Sequence, residues 1–493
     1  MLKGITKIEL TDVNTGETRV VEKHNTITGA LQELFSPVLG HLTNEDSLMA
    51  TLPAYTSLLG GLLLFDGKIE GNPLPLFAPD NVKLVGSARY NWASNLGSIY
   101  HGSYDANESA FSTATKTAKF VYNFNQSQAN GTINSVCLTH RVAGFGVYAC
   151  DLSIKTPANR LANSIYEVPT TKLIRNNQDR FSNIRGFGEN EHLYAIDVDN
   201  DVAHYFKMTA SNTIVLLKRR IGLRQFSMFG TSDAIVGSPI TITLPTGIRA
   251  VSSSNNYNSY MFDTETNALY IVSALTSASS ITLAAGTQFT VTKVGLGETT
   301  ATQVTLTNTH NAGILPMSGY VYRGRVYMVA ASTTATINGK TADRYPVVSF
   351  SLSDGAVSTH GSVTSQYTSY NTPKPLYAAD GRLYWQGYYD STKDIGGLHV
   401  TNCVATPGTD NTTLCGVDTM DFITSSSTYY PPSYTPVLNH PMLCYLSFCN
   451  AVSSTPEGFF YLAHYLGTVN NLATPIVKAP TQTMKITYTI TET

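Results

Sequence analysis

The sequence predicts a mainly β protein, and three observations carry that prediction. Charged residues make up only 13% of the 493 positions, about half of the ~25% usual in soluble domains. Their place is taken by Ser, Thr, Asn and 29 Tyr, and β-branched Thr and aromatic Tyr suit a pleated, half-buried surface. Both ends of the chain alternate polar and apolar residues with the period of a strand. From about residue 136 onward, a Tyr followed by a short apolar run recurs. Apolar residues at 42% are enough for a large core and argue against disorder. The length suits two or three domains of roughly 100–200 residues each.

At the N-terminus Ile8 and Leu10 alternate with Lys7 and Glu9, Asp12 to Gly16 carries turn chemistry, and Thr18 to Glu22 follows. That pattern predicts a β-hairpin. A short helix is expected next: Asn25 or Thr26 can cap it, and Ile27, Leu31, Leu34 and Phe35 fall at helical spacing before Pro37. Mixed strands and loops are expected from 40 to 135, interrupted by Gly60-Gly61 and Asn72-Pro-Leu-Pro75. Residues 1–135 are therefore read as a β-rich attachment domain.

The recurring phrase begins at Tyr148, Tyr194, Tyr270, Tyr327, Tyr384 and Tyr461, with gaps of 46, 76, 57, 57 and 77 residues by subtraction. Asp380-Gly-Arg-Leu-Tyr384 and Arg323-Gly-Arg-Val-Tyr327 put a tight turn before it. The gaps exceed the ~40–50 residues of a propeller blade, and insertions such as Ser277–Thr305 account for the excess. A β-propeller-like domain of about six blades over 136–475 is the expectation, with tandem β-sandwich domains as the alternative. At the C-terminus Ile486, Tyr488 and Ile490 face one way, and Lys485, Thr487, Thr489 and Thr491 the other. The strand within 476–493 is expected to pair back onto the N-terminal one.

Several function classes are set aside by composition. Thirty-two basic against 34 acidic residues leave a net charge of −2, with no basic face for nucleic acid. Met1 to Lys7 lacks the apolar core of a secretory signal. The most apolar run, Ser57–Phe65, is too short to span a bilayer. The six cysteines form no Cys-x-x-Cys pair; free thiols are expected, though Cys403/Cys415 and Cys444/Cys449 could each close a short loop.

Candidate chemistry is sparse. Asp197, Asp199 and Asp201 stand at alternate positions, as in a calcium loop, but Val202 and Met208 occupy the places of its Gly and bidentate Glu. They are weak metal candidates and ordinary turn residues. Asp343, Asp380, Asp390 and Asp394 show no spacing that pairs two of them across a glycosidic bond. His140, His192, His204 and His464 are isolated, and no nucleophile elbow, phosphate loop or zinc helix is present. No enzyme, no catalytic residue and no cofactor is expected. The remaining candidates are rings: Trp385, Tyr388 and Tyr389, and Tyr429, Tyr430 and Tyr434. Rings flanked by amides suit sugar faces, and equally suit packing between sheets.

One series of segments points further. Gly102-Ser-Tyr-Asp-Ala-Asn-Glu-Ser109, Phe120-Val-Tyr-Asn-Phe-Asn-Gln-Ser-Gln-Ala-Asn-Gly-Thr-Ile133 and Cys137-Leu-Thr-His140 resemble a segment of tail-fibre and baseplate proteins of bacteriophages that infect Gram-positive bacteria. The hairpin-plus-helix start resembles the opening of the same family, where it is the particle-attachment end. The likeness covers 1–35, 97–140 and 470–493. It implies a virion protein, assembled in the host cytoplasm and acting outside the cell, with tail or baseplate proteins as partners at the termini. It also implies a homo-oligomer, a trimer by analogy with fibres, and a β-rich head that meets a host surface glycan or protein. The chain departs from the family in having no heptad shaft, which suits a short spike or baseplate tip. Two alternatives stand beside this: a collar, tail or head-decoration protein without receptor contact, and a secreted glycan-binding or glycan-active propeller protein.

Overall fold

Alternation at the two ends of the chain dictates the first architecture, because each end has one apolar face to bury. A computed structural model of the protein describes residues 2–27, 60–69, 82, 84–91, 99–139, 174–175, 191–220, 235–251, 257–337, 340–365, 372–379, 381–390, 395–403, 412–416, 433–439, 443–449, 456–462 and 466–492. The chain divides into two compact units, Met1–Thr171 with Leu462–Thr493, and Lys172–Tyr461. The boundaries expected near 135 and 475 both fall inside strands, so the division lies further into the chain on each side.

The first unit contains β1 (Leu2–Asp12), β2 (Thr18–Ile27), β3 (Gly61–Phe65), β4 (Leu84–Ala88), β5 (Ser103–Tyr104), β6 (Ala110–Ser112), β7 (Thr117–Phe124) and β8 (Gly131–Thr139). It ends with β30 (Thr468–Lys478) and β31 (Gln482–Glu492). One antiparallel sheet runs β4-β3-β8-β30-β2-β1-β31-β7-β5, with β6 also on β7. Its two edges meet: Ser87 N–H donates to Tyr100 O at 3.0 Å, and Gly102 N–H donates to Ser87 O at 2.9 Å. The sheet is thus a nearly closed barrel, in which β2 meets β30 only at Thr26 and Ile27.

β1 pairs with β31 along its whole length, from Leu2↔Glu492 to Asp12↔Gln482. β7 lies on the other side of β31. Matching registers stack Leu10–Met484–Phe124, Ile8–Ile486–Tyr122 and Thr6–Tyr488–Phe120 in rows, all of them buried. Each fully buried Ile, Met or Phe contributes roughly 1.5–3 kcal/mol over its exposed state. The β1–β2 hairpin turns at Asp12, whose Oδ1 accepts the N–H groups of Asn14 and Thr15 at 2.9 and 3.1 Å. Gly16 closes it at φ +72°, where a side chain would strain the backbone.

One expectation is corrected here. Asn25, Thr26 and Ile27 are not a helix cap but the last residues of β2, with Thr26↔Val469 and Ile27↔Thr468 extending the sheet. Pairing with β30 supplies their backbone partners, which overrides a local helical pattern. Leu31, Leu34 and Phe35 lie outside the described residues.

The second unit is a succession of antiparallel meanders. The first is β10 (Glu191–Asp197), β11 (Val202–Ala210), β12 (Thr213–Arg220) and β13 (Ile240–Thr243). The second is β14 (Asn258–Asp263), β15 (Ala268–Ala274), β16 (Gln288–Gly295) and β17 (Thr302–Thr307). The third holds β18 (Tyr320–Tyr322), β19 (Arg325–Val329), β20 (Thr333–Ile337), β21 (Lys340–Ser351) and β22 (Val357–Ser365). There, β20 and the start of β21 form an added hairpin. The fourth is β23 (Lys374–Ala379), β24 (Arg382–Asp390), β25 (Ile395–Asn402) and β26 (Thr412–Gly416). The fifth is β27 (Ser433–Pro436), β28 (Leu443–Cys449) and β29 (Pro456–Leu462), completed by β9 (Ile174–Arg175) from the opposite end of the unit.

First strands lie against one another: β10 against β14, β14 against β18, β23 against β27 and β27 against β10. Successive sheets pack through aromatic and aliphatic side chains. Tyr194 meets Phe262 at 5.7 Å between the first and second sheets, and Phe289 meets Phe350 edge-on at 5.3 Å between the second and third. Five sheets are found among the described residues of the second unit, where the phrases suggested about six. Tyr148, which would open another, lies outside them. Tyr270, Tyr327 and Tyr384 occupy the second strands β15, β19 and β24, whereas Tyr194 is on the first strand β10 and Tyr461 on the third strand β29.

Barrel stability should follow burial residue by residue. Ile486→Ala is expected to cost about 2–5 kcal/mol, because its row partners leave a cavity. Val477→Ala, at a side chain 60% exposed, should stay within about 0.5 kcal/mol. Chemical denaturation of the two variants checks the contrast, and equal effects would mean the rows do not form the core.

Candidate functional site

The end of a meander at which its first strand starts is also where its second strand ends and its third begins, because each strand reverses the last. This rule brings together parts of the two aromatic clusters. Tyr388 and Tyr389 sit at the end of β24, and Tyr434 sits at the start of β27. The fourth and fifth sheets are consecutive, and their first strands β23 and β27 lie against one another. The three tyrosine positions therefore share one end of neighbouring sheets. Tyr429 and Tyr430 lie outside the described residues.

The same end carries described polar groups in the other sheets. His192 of β10 is half-buried, with Nε2 2.9 Å from Val251 O and its ring 5.1 and 5.3 Å from Phe206 and Tyr260. Burial pulls its pKa below the usual value, so the imidazole favours the neutral form. Burial pushes the Tyr260 hydroxyl up to about 12. Asn258 at the start of β14 donates to Ala250 O at 2.7 Å. Arg249 stacks over the Tyr257 ring at 4.9 Å. At the start of β23, Lys374 has its pKa lowered by burial. In the added hairpin Asp343 is buried and its carboxyl is pushed up, while the next residue, Arg344, is exposed. His192, Asn258 and Tyr260 bring ring and amide groups to that end of the first two sheets.

Trp385 is a correction. Its side chain is 0% exposed and its indole N–H donates to Thr401 Oγ1 at 3.0 Å. Thr401 Oγ1 in turn lies 2.8 Å from Thr412 Oγ1. Leu383 and Trp385, two apart on β24, both face the core, so this ring has no face left for a ligand.

Asp197, Asp199 and Asp201 form the β10–β11 turn, at the opposite end of the first sheet. Asp197 accepts Asn200 N–H at 2.9 Å and Asn200 Nδ2 at 2.8 Å, which is what an aspartate does in a turn. Asp199 Oδ2 lies 3.5 Å from Asn439 Nδ2, and Asp201 is buried at φ +58°. Among the described residues no group of three or more His, Cys, Asp or Glu is placed to hold a metal ion. His204 on β11 packs beside Tyr194 at 5.9 Å. Burial and the nearby Lys218 ammonium, opposed by Asp197, bring its pKa down to about 4. His140, His464, Asp380 and Asp394 lie outside the described residues. Cys137 and Cys403 carry free thiols, so Cys403 is not bridged to Cys415.

The segments 102–109 and 120–133 belong to the barrel. Asp105 accepts the N–H groups of Asn107 and Glu108 at 3.0 and 3.1 Å and Asn123 Nδ2 at 3.0 Å. Those bonds hold its carboxyl below the usual range. Between β7 and β8, Ser127 N–H donates to Asn125 Oδ1 at 2.9 Å and Asn125 N–H donates to Gln128 Oε1 at 3.0 Å. Sequence reasoning missed two charged features. Arg219 donates to both Glu191 oxygens at 2.9 Å on the first meander. Lys478 is a cation only 1% exposed.

No protein-family model and no curated protein matches the chain. Among solved structures, it is similar to the β-propeller domain of the Trilobed protease from Pyrococcus furiosus, at 8% identity and TM-score 0.24, over 71% of this chain and 82% of that one. It is similar to a Synechocystis apocarotenoid oxygenase mutant at 9% identity and TM-score 0.24, over 56% of this chain and 62% of the other. Bacillus subtilis arabinanase Arb43A matches at 11% identity and TM-score 0.14, over 74% and 92%. Likenesses this slight carry no argument about what the chain does.

Two outcomes test this account of the interior. Trp385→Ala should destabilise the protein by about 3–5 kcal/mol, measured by denaturation. His204 is held neutral in the folded state, and its folded pKa of about 4 lies below the ordinary 6.5. Its contribution is therefore present above 6.5 and is lost as pH falls toward 4. His204→Gln should make stability fall less steeply across that window than in the parent; an unchanged slope would show that the imidazole is not buried neutral.

Proposed function

We infer that this chain is an attachment protein of a virus particle, a tail-fibre, spike or baseplate component of a bacteriophage. It offers a β-rich head to a glycan on the host surface. On this reading the second unit is a five-bladed β-propeller. Support for that comes from five consecutive meanders, first strands in mutual contact, and closure of the last sheet by β9. Tandem sandwiches would need strands that cross between sheets, and each sheet here is built from sequence neighbours, β9 apart.

The observation that carries the functional reading is the shared end occupied by Tyr388, Tyr389 and Tyr434. An aromatic ring has few rotatable bonds and loses little entropy when a sugar face settles on it. A single such contact is weak, and many copies on one particle would multiply it. The likeness of residues 1–35, 97–140 and 470–493 to phage tail proteins gives the particle context. The partners proposed are tail or baseplate proteins at the barrel formed by both chain ends, and further copies of the chain, three by analogy with fibres. No chemistry is proposed for the head, and neither nucleic acid nor a membrane is a proposed partner.

The test is binding of the full chain to cells of a susceptible strain and to their isolated surface glycan. Tyr388→Ala, Tyr389→Ala and Tyr434→Ala should each weaken binding by roughly tenfold, about 1.4 kcal/mol, without altering the melting temperature. Unchanged binding in all three would remove this end of the sheets as the contact. Release of reducing sugar from the glycan would instead make the protein an enzyme.

A further inference from the structure

Lys478 closes β30 with its ammonium inside the first unit. Its Nζ donates to Asn130 Oδ1 at 2.7 Å and to Gln126 O at 3.4 Å. Among the described residues no carboxylate pairs with it. Burial without a counter-charge pulls its pKa down to about 8. A buried cation held only by neutral acceptors is costly, and one negative charge at the position of the Asn130 amide would relieve that cost.

Asn130 is also followed by glycine. Gly131 has φ +137° and no side chain to shield its backbone nitrogen. Asn130 itself is exposed, and its Nδ2 donates to Gln126 O at 2.8 Å. The lysine ammonium on Oδ1 polarises the amide carbonyl and would stabilise charge developing there, as a donor in an oxyanion site does.

We propose that Asn130 is a self-modification site, converting by deamidation to a carboxylate that forms an ion pair with Lys478. The Gly131 backbone nitrogen gives up its proton and bonds to Asn130 Cγ, the Cγ–Nδ2 bond breaks, and ammonia leaves. Water then opens the cyclic imide at one carbonyl, producing aspartate or isoaspartate at position 130. No oxidant, metal or second protein takes part. The uncompensated cation supplies both the polarisation that favours the step and the sink that favours its product. The barrel would therefore become more stable after assembly than when first folded. This is independent of what the second unit binds.

The full-length protein is aged near pH 7, below the pKa of about 8 at which Lys478 loses its charge, and digested, and the peptide spanning 126–133 is separated from that spanning Asn338-Gly339, the chain's other Asn-Gly pair. The expected result is the mass gain of amide-to-acid conversion at position 130, absent from Asn130→Gln. Asn130→Asp should melt at a higher temperature than the parent, and the gain should vanish in a Lys478→Met background, as a double-mutant cycle reports. Three results overturn the proposal. Position 130 stays amidated while 338 converts. Asn130→Asp melts at or below the parent. Or the mass falls by one ammonia and Lys478 and Asn130 appear in one cross-linked peptide, which would make the lysine amine the attacking group.

Discussion

β1 hydrogen-bonds to β31 from Leu2↔Glu492 to Asp12↔Gln482, so the first and last residues of the described chain occupy neighbouring positions in one sheet. The second unit, Lys172–Tyr461, lies between them in sequence, so the chain must leave the barrel and come back to it. The chain does so on adjacent strands: β8 and β30 pair antiparallel, Asn470 opposite Val136. Inside the second unit the same condition is met again, since β9 and β29 pair with Phe460 opposite Ile174. A domain whose own ends lie side by side can be inserted into another without pulling either apart. The cost lies in contact order, because strands nearly five hundred residues apart must find one another before the barrel exists.

A low-charge chain must satisfy its buried polar groups with hydroxyls and amides instead of ion pairs, and the barrel does this row by row. Thr6 Oγ1 donates to Asn25 Oδ1 at 2.9 Å, Tyr488 reaches Thr468, and Tyr122 donates to Gly60 O at 3.1 Å. Asn25 in turn demands glycine at position 4, where a Cβ would come within 2.8 Å of its amide nitrogen. Ring-bearing and hydroxyl-bearing residues thus serve the interior first. Trp385 belongs to the same pattern: its apolar body fills the core while its one donor reaches Thr401. A tyrosine or tryptophan in such a chain is evidence of a binding surface only after its place on a strand is known.

How much of this could be seen in the sequence depends on whether the signal was local. The alternation at both ends was, and it led to the hairpin and to the pairing of β1 with β31. Tyr270, Tyr327 and Tyr384 follow one another at 57 residues and stand on equivalent second strands, so the two equal gaps were the spacing of the second, third and fourth sheets. The uneven gaps came from Tyr194 and Tyr461, which share the phrase but stand on a first and a third strand. Leu383 and Trp385 alternate as core residues do, so the burial of Trp385 was legible and was obscured by the rings that follow it. The strand order β4-β3-β8-β30-β2 was not legible, because no pattern within a segment says which distant edge it will meet. Nor was the shared end of Tyr388, Tyr389 and Tyr434, which only the sheet topology creates.

Lys478 shows why one charged residue escaped notice. Along β30 the partners Asn471↔Ser135 and Ile476↔Ile133 span five residues on one strand and two on the other, so three extra residues are accommodated in a bulge. Pro475 sits there, where no ladder hydrogen bond is asked of it. An odd insertion reverses the phase of the pleat, turning the next residues to the faces opposite those that uninterrupted alternation would give them. Val477 is accordingly 60% exposed and Lys478 1% exposed, the inverse of what their hydropathy would choose. Had the bulge held an even number, the lysine would lie in water and the valine in the core. The barrel therefore keeps its cation by register, and the loop from Asn125 to Asn130 exists in a conformation that gives that cation acceptors. The loop's amide and carbonyl groups are, in this chain, the local answer to a charge that a distant bulge turned inward.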